Sequence, residues 1–254
     1  MNQYLKIASP LSDLISTSFK CHFRTLKSIL VVILLMVVAK NMHFYLTGYI
    51  HNRTFYAAAL IIMLLLQVFL AATALVLTDA SLRLKQITLN EAFSRVYKNS
   101  ASIFAGAFFF VLIFCLVVFA GMMVAHFISG YVKAQVMMTL ITSAVLILPV
   151  ISLIILWIFA IPLLVLKPMT MWSCFKQSMS MIRQDHWMQG LVLYVCYVIF
   201  YYLLKGNTHH GVWLSDHHVS IIADFFIFAL VFPFLLNFTL FLLCDFMMRD
   251  DKPF

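Results

Sequence analysis

The sequence predicts an all-α, polytopic membrane protein with six transmembrane helices in three hairpins, each hairpin preceded by an amphipathic cytoplasmic interfacial helix. Three observations predict it. Of the 254 residues, 64% are hydrophobic and only 10% charged, where a soluble domain carries about 25% charged residues. The apolar residues form long unbroken runs rather than alternating with polar ones, which suits helices and not a membrane barrel. The basic residues gather in every second connection between those runs. With 25 phenylalanines against 7 glycines, the chain is also far from the composition of a disordered one.

A bilayer core needs about 20 mostly apolar residues in helix, because lipid cannot satisfy free backbone groups. The first run, 28–39, is short and is extended past Lys40 by 42–46, with Lys40 placed to snorkel to the far interface. The second, 55–77, holds Gln67 as its one strongly polar residue. The third, 101–128, and the fourth, 136–166, are uncharged, and the fourth is long enough to tilt or to continue beyond the bilayer. The fifth, 187–204, is uncharged, and the sixth, 221–244, carries Asp224 close to its start. Pro149, Pro162 and Pro233 fall inside runs and are expected to kink them. The mixed residues before the first run include Asp13, which does not fit a cleavable signal.

Charge orients the set. Lys6, Lys20, Arg24 and Lys27 precede the first span. Arg83, Lys85, Arg95 and Lys98 lie between the second and third, and Lys167, Lys176 and Arg183 between the fourth and fifth. Arg249 and Lys252 follow the last. These thirteen face only Lys40, Arg53, Lys133 and Lys205 on the other side, so both termini are expected in the cytoplasm.

A single membrane domain, 1–254, with approximate repeats 1–78, 79–160 and 161–254, follows from the segment before each hairpin. In the first, Leu11, Ile15, Phe19, Phe23 and Leu26 recur at helical spacing; in the second, Leu89, Ala92, Phe93 and Val96; in the third, Trp172, Phe175, Met179 and Ile182. Start signals agree: Ser9-Pro10 as N-cap and first helical residue, Thr88 to Glu91 as a capping box, and Thr170 as a cap. Their basic flanks, Lys20, Arg24, Lys27, Arg95, Lys98, Lys176 and Arg183, are the expected membrane-surface residues and would meet anionic headgroups or a membrane-protein partner, including a second copy.

Candidate chemistry is sparse. His209, His210, Asp216, His217 and His218 in the last outer connection are metal-ligating types, but their spacing matches no metal motif, and a plain surface loop explains them as well. Gln67, Asp224 and Asn237 are the intramembrane polar residues; Gln67 and Asn237 are expected to make interhelical hydrogen bonds. No Ser-His-Asp order, HExxH, phosphate-binding loop or paired-carboxylate motif occurs, so neither an enzyme nor a cofactor is expected. No basic run or base-stacking module points to nucleic acid.

The stretch from Ile161-Pro162-Leu163 to Leu166, then Met171-Trp172-Ser173-Cys174-Phe175-Lys176-Gln177-Ser178 and Ile182-Arg183, resembles the YciC family of bacterial inner-membrane proteins. It is also similar to the membrane domain attached to some glycerophosphodiester phosphodiesterases. Val76 to Leu82 with Ala92-Phe93 looks like the corresponding earlier unit. Lys167 departs from the acidic residue that the family often has there. The resemblance implies a six-span protein of the bacterial inner membrane and carries over no phosphodiesterase activity. Two functions fit: a non-enzymatic protein organising lipids or membrane partners through its basic helices, or a transporter of a small molecule, lipid or ion with Asp224, Gln67 and Asn237 as polar contacts.

Overall fold

The computed structural model describes residues 10–49, 53–129, 135–167, 169–183, 187–209 and 217–249. Every regular element among them is helical: α1 (Leu11–Lys20), α2 (His22–Tyr49), α3 (Arg53–Leu82), α4 (Leu89–Lys98), α5 (Ser100–Ser129), α6 (Gln135–Trp157), α7 (Ala160–Leu166), α8 (Met171–Arg183), α9 (Trp187–His209) and α10 (His217–Arg249). Among the described residues, five helical stretches are long and apolar enough to cross a membrane: His22–Met42, Phe55–Leu82, Ser100–Phe127, Ile147–Leu166 and Ile221–Met247. The expected fifth span reaches that standard only together with α8, at a bend of 112°. Polar residues at both of its ends, Gln189 and Lys205 to His209, dilute α9. Large apolar side chains such as Ile61, Leu64, Phe108, Phe119 and Leu230 lie exposed on these helices. A surface of that kind needs hydrocarbon around it, and the chain reads as a multi-pass membrane protein.

The helices are unequally enclosed. From Leu235 to Met247 every residue of α10 is buried, the mark of a helix surrounded on all sides. Its neighbours are α1, α2, α3 and α9, and Phe246 meets Phe159 edge-on at 5.3 Å. The first half of α10 turns Ile222, Phe226 and Leu230 outward at four-residue steps. The first and last long helices are therefore packed side by side, an adjacency that chain order does not announce. By contrast α5 is mostly exposed, held by α6 and by a close approach at Gly106, where a Cβ would come 2.6 Å from Leu164 Cδ2.

Of the three prolines, only Pro162 interrupts a helix. Pro149 and Pro233 lie inside continuous α6 and α10. The Pro162 ring has no N–H and would collide with the carbonyl four residues back, that of Ile158. The chain breaks there, with Ile158 and Phe159 in a turn between α6 and α7. The fully buried Ser178 of α8 repairs the gap: its hydroxyl accepts from the Phe159 N–H at 3.2 Å and donates to the Leu156 carbonyl at 2.9 Å.

The short helices follow their start signals with one shift. The Thr88 capping box is formed in both directions, at 3.2 and 3.1 Å. The Thr170 hydroxyl accepts from the Ser173 N–H at 3.4 Å. Pro10 is the N-cap of α1 and not its first helical residue, and Ser9 lies outside the described residues. The apolar stripes divide between the bundle and the outside. On α1, Leu14 and Ser18 are fully buried and Leu11 and Ile15 pack against the core, while Phe19, whose ring meets Phe234 at 4.5 Å, and the following Phe23 are 60% and 81% exposed. Ser18 can occupy the interior because its hydroxyl bonds back to the Leu14 carbonyl at 2.7 Å. On α8 the buried line is Cys174, Phe175, Ser178, Met181 and Ile182, and Trp172 is exposed. On α4, Ala92 and Val96 are buried as expected.

Candidate functional site

Polar groups at membrane depth must find partners within the protein. Two such groups join α2 to α10. Asp224 is fully buried, and Lys40 Nζ donates to both of its oxygens at 2.8 Å. Asn41 Nδ2 donates to Asp224 Oδ2 at 3.2 Å and to the Val37 carbonyl at 2.9 Å. Lys40, with its side chain 20% exposed, does not follow the snorkelling expectation. A carboxylate within reach gives the ammonium a direct charged partner in place of headgroup solvation.

Further along α10, Asn237 is fully buried. The Thr25 hydroxyl donates to Asn237 Oδ1 at 2.7 Å, and Asn237 Nδ2 donates to the Ser18 carbonyl at 3.2 Å. One side chain thus ties α10 to both α1 and α2, which is the interhelical role expected of it. Asn237→Leu is expected to lower stability by about 1 kcal/mol, read as a fall in the thermal midpoint in detergent. An unchanged midpoint would show that the clamp contributes nothing net. Gln67 is half-buried on α3 and joins neither cluster.

The second feature lies near the start of α2, far along the helix from Lys40. Arg24, Lys27 and Ser28 on α2 face Leu77, Ala80 and Ser81 on α3, and the segment Leu84 to Ile87 with Leu89 closes a cavity of about 440 Å³. Arg24 and Lys27 stand three residues apart and share a helix face. Lys85 reaches the same cavity through the way α3 ends. The Lys85 N–H donates to the Ala80 carbonyl at 2.9 Å and the Leu84 N–H to the Ser81 carbonyl at 3.2 Å. This is a Schellman cap, which places Leu84 in the left-handed region at φ 62°. A residue other than glycine held there costs about 1 kcal/mol. The cap turns the chain so that Lys85 and Gln86 lie over the cavity.

Among the described residues, three cations and no carboxylate line this cavity. The two acids nearest in sequence are engaged elsewhere: Asp79 pairs with Arg83 at 2.8 Å, and Glu91 accepts from the Thr88 N–H. Burial pushes the Cys21 thiol up, an effect that the charge of Arg24 opposes. No family model, curated protein or solved structure matches this chain. The reading of the site therefore comes from its own geometry.

Of the expected surface cations, the structure gathers only Arg24 and Lys27 into one place. Lys20, Arg95, Lys98 and Lys176 are exposed and line no part of that cavity. The side chain of Arg183 lies outside the described residues. Lys85 was legible only as one more basic residue of a connection; nothing in linear spacing says that it returns over α2. Asn41 and Thr25 were likewise unmarked, because their partners sit on the last helix. His210 and Asp216, with the side chains of His209, His217 and His218, fall outside the described residues. Among the described residues no group of three metal-ligating side chains is found.

Proposed function

We propose that this chain is a non-enzymatic protein of the bacterial inner membrane that organises anionic lipids or membrane partners through its basic cytoplasmic helices. In this reading the repeats 1–78, 79–160 and 161–254 each contribute an interfacial helix, α1, α4 or α8, followed by a hairpin, and both termini are cytoplasmic. The inner-membrane placement rests on the resemblance to the YciC family. The observation that carries the function is the thirteen-to-four bias of basic residues, together with the exposure of Lys20, Arg24, Arg95, Lys98 and Lys176. Each such cation near an anionic leaflet is worth about 1 kcal/mol of attraction.

The test is to neutralise Lys20, Arg24, Arg95, Lys98, Lys176 and Arg183 together and to measure the anionic lipid and the proteins that co-purify in mild detergent. The expected outcome is a loss of most of the anionic lipid or of a bound partner, with zwitterionic lipid retained. Unchanged recovery of both would remove the proposal. A transporter reading has less support: Asp224 and Asn237 direct their hydrogen bonds to α1 and α2, and the interior is filled by Phe159, Phe238, Phe241 and Phe246.

A further inference from the structure

From the cavity between α2 and the end of α3 we infer a specific site for a phosphate group, held by Arg24, Lys27 and Lys85 and carried by a lipid. The inference deepens the function proposed above and rests on it in one respect: this end of the bundle must face an anionic leaflet.

The chemistry follows from the lining. The guanidinium of Arg24 offers a planar fork that matches two phosphate oxygens, and Lys27 on the same helix and Lys85 beyond the end of α3 add point charges to the same lining. Among the described residues none of the three is paired with a carboxylate. The Ser28 hydroxyl gives its proton to the Arg24 carbonyl at 3.2 Å, and Gln86 supplies a further amide at the rim. Three cations brought together without an anion repel one another, and a bound phosphate removes that repulsion. The volume, about 440 Å³, is that of a small-molecule site. Leu77, Ala80, Ile87 and Leu89 give the cavity an apolar wall as well as its charges. A free anion has no use for that wall, whereas the glycerol and first acyl carbons of a phospholipid do. The strained Leu84 is consistent with the same role, since it fixes Lys85 over the pocket.

The experiment uses the full chain in detergent, titrated with dioctanoyl phosphatidate and, as the headgroup-free control, dioctanoylglycerol, with bound lipid counted by native mass spectrometry. Lys85→Gln and Lys27→Gln are each expected to weaken phosphatidate binding about fivefold. The pair together should weaken it more than either alone, with a departure from the simple product because the two share one phosphate. Lys176→Gln, an exposed cation on α8 that lines no part of the cavity, should weaken it less than either. Dioctanoylglycerol should bind all variants weakly and alike. All three side chains are exposed, and matching thermal midpoints verify the folds.

Competition with inorganic phosphate separates the sources. Displacement only in large excess assigns the site to a lipid phosphate; displacement at comparable concentration assigns it to phosphate itself. If Lys85→Gln and Lys27→Gln bind phosphatidate like the unmodified chain, the cavity is not the site. If Lys176→Gln weakens binding as much as they do, attraction belongs to the whole basic face, so the cavity assignment falls while the broader function stands. If the unmodified chain binds no phosphatidate, the site falls; if it also co-purifies with neither anionic lipid nor a protein partner, both fall.

Discussion

Asp224→Ala is expected to destabilise the folded chain by about 3 kcal/mol, the low end of the range for breaking a buried ion pair. The carboxylate is fully buried and takes two hydrogen bonds from Lys40 and one from Asn41, so its removal strands an ammonium and an amide together. The low end applies because the Lys40 side chain keeps 20% of its surface exposed near the end of its span and can partly escape to the interface. Asp224→Asn keeps an acceptor for Lys40 and should fall between the two. The double replacement Lys40→Met with Asp224→Leu should recover most of the loss, since two apolar side chains leave nothing uncompensated. Thermal midpoints in one detergent, arranged as a double-mutant cycle, measure the coupling. If the single variant is as stable as the unmodified chain, the pair does not hold α2 against α10.

Ser178→Ala should cost about 2 kcal/mol, more than a single hydrogen bond is usually worth. The reason is that one fully buried hydroxyl serves two orphaned backbone groups, the N–H of the fully buried Phe159 and the carbonyl of Leu156. Those groups are orphaned only because Pro162 forbids a continuous helix from α6 into α7. The two residues must therefore be coupled. In a Pro162→Ala background the helix can close across the gap, and Ser178→Ala should then cost less than about 1 kcal/mol. Equal costs in the two backgrounds would mean that the break has another cause.

Both predictions turn on partners far apart in the chain, and they mark the boundary of what could be read from it. The apolar runs were legible because burial in lipid demands length and composition, which are local properties. Even the interrupted first run, with Lys40 near its end, forms a helix long enough to cross. The capping box at Thr88 was legible for the same reason, since its two partners stand three residues apart. The stripe on α1 was legible in part: Leu11 and Ile15 pack against the core, but the fully buried line is Leu14 and Ser18, and Phe19 is largely exposed. In lipid an exposed phenylalanine carries no penalty, so apolar periodicity alone cannot say which face turns inward. Asp224 and Asn237 could be named as polar groups at depth, but their partners could not, because no local rule sets the last helix beside the first.

By itself, then, the sequence determined that the chain is helical, that several of its helices are made for hydrocarbon, and where its charges lie along the strand. The tertiary structure alone decided that α10 is enclosed by helices from both ends of the chain, that Lys40 meets Asp224, and that Lys85 joins Arg24 and Lys27 around one cavity. The physical reason is range. Solvation and helix propensity act on neighbours in sequence, whereas ion pairs, clamps and cavities depend on which surfaces come to touch, and in a greasy bundle nearly every surface is chemically alike until packing selects a few.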